Sequence, residues 1–513
     1  MKAAISAVAA LALALLPTAA LANLDGALDT TLHPSLGGFP YFGVPGLLDY
    51  AIDYGGAAPD TNNDYASAVL PLPDGRFYVA GQSWSAGNPL SSHVGVLERF
   101  LADGSVDATF GTNGRVLFGG GGMTDCYITS IALQGNKPLI AQSYRLTGSP
   151  SVEYTRLTRL DTDGTLDRIL IGPDEAPIPN EGLAKVITDA AGDMYVAAHF
   201  NHAQGTRFEV IFASGDAGPG NESSFNFALG SGAQDGARAT DLVLRHMPLT
   251  SCGDGCIIAQ HDELFAIGSA FMGSYGDGLP NHDCVVVAFR RRVTDLFFGI
   301  DPGFNGGNPL LIDFPVGTAN EGDNICRAAA PRDGSGIVIG GENFFISTLG
   351  GGSPGVASNY ALAEVDGAGN VTRRDVFAFF EQLATPGIYN GIYGMAREAG
   401  GKLVVTGFAG TTDANRAPSD AAVVRFNADY SRDASFGNDG AGLAIVSLDG
   451  QGSMATAQRE WASSLALDNH GRILLVGTRS YNLASNNDYD WLVGRLANAG
   501  DVIFRDGFDN RVP

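Results

Sequence analysis

A degenerate unit recurs about seven times along this chain, and no other feature limits the fold as strongly. Its best copy runs from Asp64 to Val116: an apolar stretch, a turn, a strand ending in glycine, a second strand ending in arginine, and a closing turn. In letters it reads DYASAVLPLPDGRFYVAG, then HVGVLERFLADGSVDATFGTNGRV. Self-similarity at such a period signals stacked or radially arranged units, none of which buries its apolar face alone. The repeat defines a scaffold. It names no reaction.

Each copy is anchored on an apolar strand: Phe77–Gly81, Pro138–Ala141, Met194–Ala197, Leu264–Gly268, Ile337–Gly341, Leu403–Gly407 and Ile473–Gly477. Most follow a turn pair: Asp74-Gly75, Gly135-Asn136, Gly192-Asp193, Asp333-Gly334, Gly400-Gly401 or His470-Gly471. Such pairs accept the positive φ of a tight hairpin. A further strand follows in nearly every copy, at Val94–Phe100, Tyr154–Leu160, Arg207–Phe212, Cys284–Arg290, Tyr360–Val365, Ala421–Phe426 and Trp491–Leu496. Four of these place an arginine before their last residue: Arg99, Arg159, Arg425 and Arg495. The fourth copy is the least regular; its hairpin is expected to pair Cys256–Ala259 with Leu264–Ile267, turning at His261-Asp262. A last strand is announced by Asp107-Ala108-Thr109-Phe110-Gly111 and by Asp433-Ala434-Ser435-Phe436-Gly437. Four hairpin-linked strands per unit compose a propeller blade. The expected fold is all-β: a single β-propeller of about seven four-stranded blades, with eight as the alternative count.

Leu24–Leu32 repeats the turn between third and fourth strands, without the strands that should precede it. A half-unit at the start suits a ring completed by both chain ends, which removes free sheet edges. The expected organisation is a signal peptide over 1–22, a closing segment over 23–60, propeller repeats over 61–500 and a short tail over 501–513.

The signatures DGRFYVAG with LERFLADGSVDATFGTNGRV, and LVVTGF with VVRFNADYSRDASFGNDG, resemble the delta-60 repeat, a family of bacterial β-propeller repeats of unknown function. Weaker matches cover most of the mature chain, and Asp167–Asn305 departs most. The resemblance implies a propeller fold and export. It carries no catalytic residues. The tail from Asp501 to Asp509 resembles a short ending of exported proteins in some Gram-negative bacteria, and equally suits a final strand.

Met1–Ala22 reads as a secretion signal: Lys2, an apolar core over Ile5–Leu16 and the small-residue site Ala20-Leu21-Ala22. The protein is expected outside the cytoplasm, in the periplasm, on the cell surface or beyond it. The core is too short to span a bilayer comfortably, and no later stretch is long and apolar enough, so no membrane insertion is expected. A formal charge of −24 argues against nucleic acid, whose phosphates need a basic track. No cofactor is required by any motif. Calcium is the sharper reading of Asp161–Gly164 and Asn62-Asn63-Asp64, which offer oxygen ligands; hairpin turns want the same Asp-Gly pairs. Five cysteines in an oxidising compartment suggest disulfides. Cys252 and Cys256 flank a glycine-rich loop and are expected to bridge, Cys284 and Cys326 can pair between neighbouring strands or blades, and Cys126 is the candidate buried free thiol.

No constellation identifies catalysis, so no catalytic or metal-binding residue is assigned. Neither His261-Asp262-Glu263 nor Asp333–Gly336 matches a nucleophile or triad motif. The repeated arginines are expected to bind acidic turn residues of their own blade, such as Asp103 or Asp107 after Arg99. Trp461 and Trp491 are expected between blades. Function in a propeller sits in loops at one channel end, here Gly268–His282, Asn343–Asn359 and Gly410–Ser419. The favoured role is an exported binding or structural scaffold contacting a protein or glycan. The alternative is a propeller hydrolase or lyase acting at the channel mouth.

Overall fold

The computed structural model describes residues 26–32, 41–44, 46–52, 62–85, 93–119, 123–171, 181–202, 205–215, 222–229, 236–248, 250–251, 257–258, 261–274, 280–292, 298–314, 323–347, 355–377, 390–410, 419–437, 442–446, 459–481 and 488–498. The expected signal and C-terminal tail lie outside these residues. Apart from one three-residue 3-10 turn at Asn305–Gly307, the regular structure described is strand.

The strands group as the repeat does. The first copy is Asn62–Pro71, Phe77–Ser85, His93–Phe100 and Arg115–Phe118. The second is Met123–Gln134, Lys137–Leu146, Ser149–Leu160 and Leu166–Ile171, and the third Glu181–Thr188, Met194–His202, Gly205–Ala213 and Glu222–Phe227. The fifth is Asn324–Pro331, Gly336–Ser347, Gly355–Asp366 and Val371–Phe377. The sixth is Asn390–Arg397, Leu403–Gly410, Ser419–Phe426 and Leu443–Val446. In each, consecutive strands pair antiparallel. In each anticipated turn pair one glycine takes positive φ, from 64° at Gly135 to 87° at Gly75.

The fourth copy corrects the expectation. Its inner strand is Arg238–Met247, which pairs with His261–Ser274, so Leu264 faces Leu244 rather than the Cys256–Ala259 segment. His261 and Asp262 stand inside that long strand, paired on both sides. Ile257–Ile258 instead pairs with Thr250–Ser251 in a small separate ribbon. The physical reason is an insertion: a segment folded on itself separates two strands that the other copies join by a tight turn.

Every strand alternates its side chains between two neighbours, and the copies pack through these two faces. Val79 faces back toward Trp491, Val493 and Leu474, whereas Tyr78 and Ala80 face forward toward Ile128, Ile131 and Ile140. Equivalent buried clusters join the second copy to the third, the third to the fourth, and onward to the seventh. The cluster holding Trp491 joins the seventh copy to the first. Trp461 lies at the same junction, with ring centroids 6.5 Å from Tyr65. Both tryptophans therefore pack between copies.

The seventh copy has only three strands of its own: Arg459–Leu467, Ile473–Tyr481 and Asp488–Leu496. Its fourth partner is Leu47–Tyr50 from the N-terminal segment, antiparallel to Trp491–Gly494. The half-unit finds its missing third strand at the other end of the chain.

The repeated arginine holds these turns. Arg99 donates from Nε to Asp107 (2.7 Å), from Nη1 to the Thr162 carbonyl of the second copy (2.6 Å), and from Nη2 to Thr109 (3.1 Å). Arg425 repeats this with Asp433, Asn498 of the seventh copy and Ser435. Arg495 finds the same set across the chain ends: Asp29 (2.8 Å), the Ala102 carbonyl of the first copy (2.7 Å) and Thr31 (2.8 Å). The backbone agrees, because Asp107, Asp433 and Asp29 each donate N–H to the carbonyl of their arginine. Arg290 with Asp301 is a reduced version in the fourth copy, at 2.9 Å. Of the acidic partners anticipated for Arg99, Asp107 is the one it binds.

Arg425 is fully buried, so truncating it strips Asp433 of its buried cation, leaves the partly exposed Lys402 beside it, and removes the bonds to Asn498 and Ser435. Arg425→Ala is expected to lower unfolding free energy by roughly 3–5 kcal/mol, against about 1 kcal/mol or less for Arg76→Ala at a more exposed pair. Urea denaturation midpoints test the contrast. These pairs also set an acid limit. Burial raises the Asp107 carboxyl, but Thr109, Arg76 and Arg99 outweigh it and hold it at about 2, against the ordinary 3.8. Asp29 and Asp433 are lowered despite burial too, by Thr31 with Arg495 and by Lys402, Ser435 and Arg425. A lowered folded-state value gives stability that is present above the unfolded value and lost as pH falls through the folded one. The melting temperature should therefore fall from about pH 4 downward, less steeply in Asp107→Asn; an unchanged slope in that variant would contradict the assignment.

Candidate functional site

The inner strands of all the copies face one cavity of about 1910 Å³. Each of these strands carries a β-bulge at the same place, where one residue is skipped in the pairing with the next strand. The skipped residues are Ser67, Thr129, Ala184, Thr240, Arg327, Tyr393 and Ser463, and all line the cavity. The glycine that ends the second strand explains itself here: a Cβ on Gly81, Gly268, Gly341, Gly407 or Gly477 would come within 2.0 Å of the carbonyl oxygen at the bulge. Three of the four hydroxyls at this position stitch copies together. Ser67 donates to the Ile128 carbonyl, Thr240 to that of Cys326 (2.9 Å), and Ser463 to that of Ala66.

Arg327 and Tyr393 replace the hydroxyl in the fifth and sixth copies. Arg327 donates from Nε and Nη2 to one oxygen of Glu342 (3.0 and 2.9 Å), and its guanidinium lies 4.6 Å from the Tyr393 ring centroid. Glu342 is buried, and Gly391 is required beside it, since a Cβ there would meet its carboxylate at 2.4 Å. Burial and Glu342 both push the Tyr393 hydroxyl upward, so it stays protonated. The base of Arg327 is pinned: Cys326 is disulfide-bonded to Cys284 of the fourth copy, with Cα atoms 5.3 Å apart.

Two histidines and a second arginine complete this end. Arg238 opens the inner strand of the fourth copy and is exposed. His199 lies against Gly182, where any Cβ would strike the ring, and burial followed by the Arg238 charge depresses it to about 4. It is neutral at neutral pH. The His282 Nδ1 hydrogen-bonds the Asp323 carboxylate at 2.6 Å, and among the described residues Nε2 has no hydrogen-bond partner. Inner strands begin at this end and second strands finish there. It is therefore the end that carries the three longer segments anticipated as functional, whose central residues, 275–279, 348–354 and 411–418, lie outside the described set. At the opposite end the cavity cations hold turns, as Lys137 does with Asp161 (2.8 Å) and Arg397 with Asp333 (2.8 Å).

Other anticipated residues are not drawn together. Asp163 accepts from Thr165, Asp161 from Lys137, and Asp64 from the Ile52 amide (2.7 Å). No group of three or more His, Cys, Asp or Glu among the described residues could hold a metal ion. Cys252 and Cys256 lie outside the described residues. Cys126 is a buried free thiol, raised by burial to about 12. Among the described residues no helix is long and apolar enough to cross a membrane. Sequence reading did not single out His199, Arg238, Arg327 or Tyr393. Aligning the bulges would have found Arg327 and Tyr393, as the two large side chains at a position of small ones.

His199 supplies a direct check on this electrostatic picture. Its imidazole should titrate near 4 by NMR, and Arg238→Ala should move that value upward toward the ordinary 6.5. Titration at 6.5 in the unmodified protein would contradict the described burial.

A polysaccharide lyase, Uly1, is similar at TM-score 0.40 and 12% identity, over 92% of this chain and 97% of that one. A mannose phosphorylase from Leishmania mexicana, MPT-4, aligns at TM-score 0.29 and 13% identity over 63% and 86%. A levansucrase variant from B. megaterium aligns at 0.30 and 12% over 62% and 86%. No curated protein matches the chain. The family described as "Domain of unknown function (DUF5122) beta-propeller" matches residues 72–110 and 401–436, two segments that end at Phe110 and Phe436 and so contain the first and sixth arginine turns.

Proposed function

We propose that this chain is an exported, seven-bladed β-propeller, closed by its N-terminal segment, which binds a partner at one channel mouth. Three features support the ring. Seven bulged inner strands share one cavity, each buried cluster joins adjacent copies including last to first, and Leu47–Tyr50 completes the seventh sheet. Seven inner strands line that cavity, one per copy, which supports a count of seven. Export rests on the signal-like pattern of Met1–Ala22, and the periplasm, cell surface or exterior is the expected destination.

The observation that carries a binding role is the break in the ring of small bulge residues. The bulge hydroxyls of Ser67, Thr240 and Ser463 serve packing between copies, whereas Arg327 on Tyr393, with exposed Arg238 beside neutral His199, departs from the repeat and faces the cavity. Polar groups converging on a concave site are the usual form of a ligand site. The partner is a glycan or an exported protein. An enzyme is the second reading, favoured by one detail: an imidazole and a guanidinium, groups used in acid–base chemistry and anion stabilisation, stand together on the cavity wall.

Binding of the mature protein to an immobilised panel of bacterial-envelope glycans and exported proteins tests the proposal. A ligand should be retained, and retention should fall in Arg238→Ala and Tyr393→Ala variants whose melting temperatures are unchanged. Retention indifferent to both would place binding elsewhere. Conversion of the retained ligand to product would select the enzymatic reading.

A further inference from the structure

We propose that the ligand taken at this mouth is an acidic sugar: a uronate residue within an oligosaccharide, its carboxylate held by Arg238. The inference rests on the channel mouth being the binding site and specifies what that site recognises.

Charge is the first ground. The chain carries 31 Lys and Arg against 55 Asp and Glu, yet the cavity wall carries six Lys and Arg against four Asp and Glu. The wall is thus far less acidic than the protein as a whole, and an anion meets less repulsion there than over the rest of the surface.

The second ground is that one of these cations is uncommitted. Lys137, Arg159, Lys185, Arg327 and Arg397 each have an acidic partner, namely Asp161, Asp167, Asp241, Glu342 and Asp333. Arg238 is exposed, and among the described residues no hydrogen bond or ion pair engages it. Its charged surroundings are met instead by His199, which burial keeps neutral and so unable to repel it. A free guanidinium presents a planar fork that matches a carboxylate bidentately. One free fork suits one singly charged carboxylate, whereas a phosphate ester would call for further unpaired cations.

An aromatic ring gives the third ground. Tyr393 lines the cavity and is half-buried, so its ring offers an apolar surface for the C–H face of a pyranose. The cavity of about 1910 Å³ exceeds the roughly 300–1,000 Å³ of ordinary small-ligand pockets, so it has room for several sugar units.

Isothermal titration of the mature protein distinguishes the outcomes. The probes are oligomers of galacturonate, glucuronate and guluronate, their carboxyl-reduced neutral counterparts, and inorganic phosphate. At least one uronate oligomer should bind, its reduced counterpart should bind roughly 10–100-fold more weakly, and Arg238→Ala should lose a similar factor. Arg238→Lys should recover only part of it, and phosphate should not compete. Equal binding of acidic and reduced oligomers, with both lost in Tyr393→Ala, would keep the mouth as the site and overturn the uronate assignment. Competition by phosphate at equal concentration would reduce Arg238 to a general anion contact and also overturn it. Absence of binding by every oligomer, in a protein that retains another ligand at Tyr393, would overturn it as well.

Discussion

A buried guanidinium tied to an aspartate one turn away is the contact on which the rest of this architecture depends. Burying a charge is unfavourable unless it is paired and its N–H groups are used. Arg99, Arg425 and Arg495 meet both conditions with the same three bonds: Nε to an aspartate, Nη2 to a Thr or Ser two residues on, and Nη1 to an acceptor in the next copy. The third bond makes a local turn into a joint between copies. Its neighbour Phe110 or Phe436 lies under the guanidinium at 4.7 or 4.8 Å and anchors the turn in the core. In the seventh copy the arginine is C-terminal and its aspartate is Asp29, so the repeat geometry can be completed only when the chain ends meet.

The channel follows from a second, smaller device. A bulge adds one residue to each inner strand and turns it toward the cavity, and a glycine opposite admits the displaced carbonyl. Hydroxyls at the bulge link neighbouring copies, which makes the channel wall part of the packing. Where Arg327 and Tyr393 stand, that linkage is replaced by a buried carboxylate, a stacked ring and a disulfide one residue away. The scaffold thus supports a local exception, and the exception sits at the end where the second strands finish and where Arg238 and His199 stand.

Strands and turns were legible because their signals are local. Asp-Gly and Gly-Gly pairs require positive φ, and β-branched runs between them require a pleated, doubly buried surface. Arg99 with Asp107 was also legible, since the same spacing of eight positions recurs in Arg425 with Asp433. The fourth copy was not. Its inner strand, Arg238–Met247, lies far upstream of its partner, and the intervening ribbon mimics the expected hairpin. The mouth was hidden for a different reason. Hydrophobic alternation records which face a residue takes within a blade, whereas a bulge breaks that alternation and turns Arg327 and Tyr393 toward the channel. Arg238 and His199 meet only through the packing of the third copy on the fourth.

Native-state hydrogen exchange at the N-terminal segment tests the joining of the chain ends most directly. Asp29 donates its amide to the Arg495 carbonyl, Gly46 donates to Leu32, and Arg495 donates to Gly46. If the segment is an integral fourth strand, these amides and those of Leu47–Tyr50 should exchange together with Trp491–Leu496, at the slow rate set by global unfolding. Fast exchange of Asp29 and Leu47–Tyr50, with Trp491–Leu496 still protected, would contradict closure by the N-terminal segment.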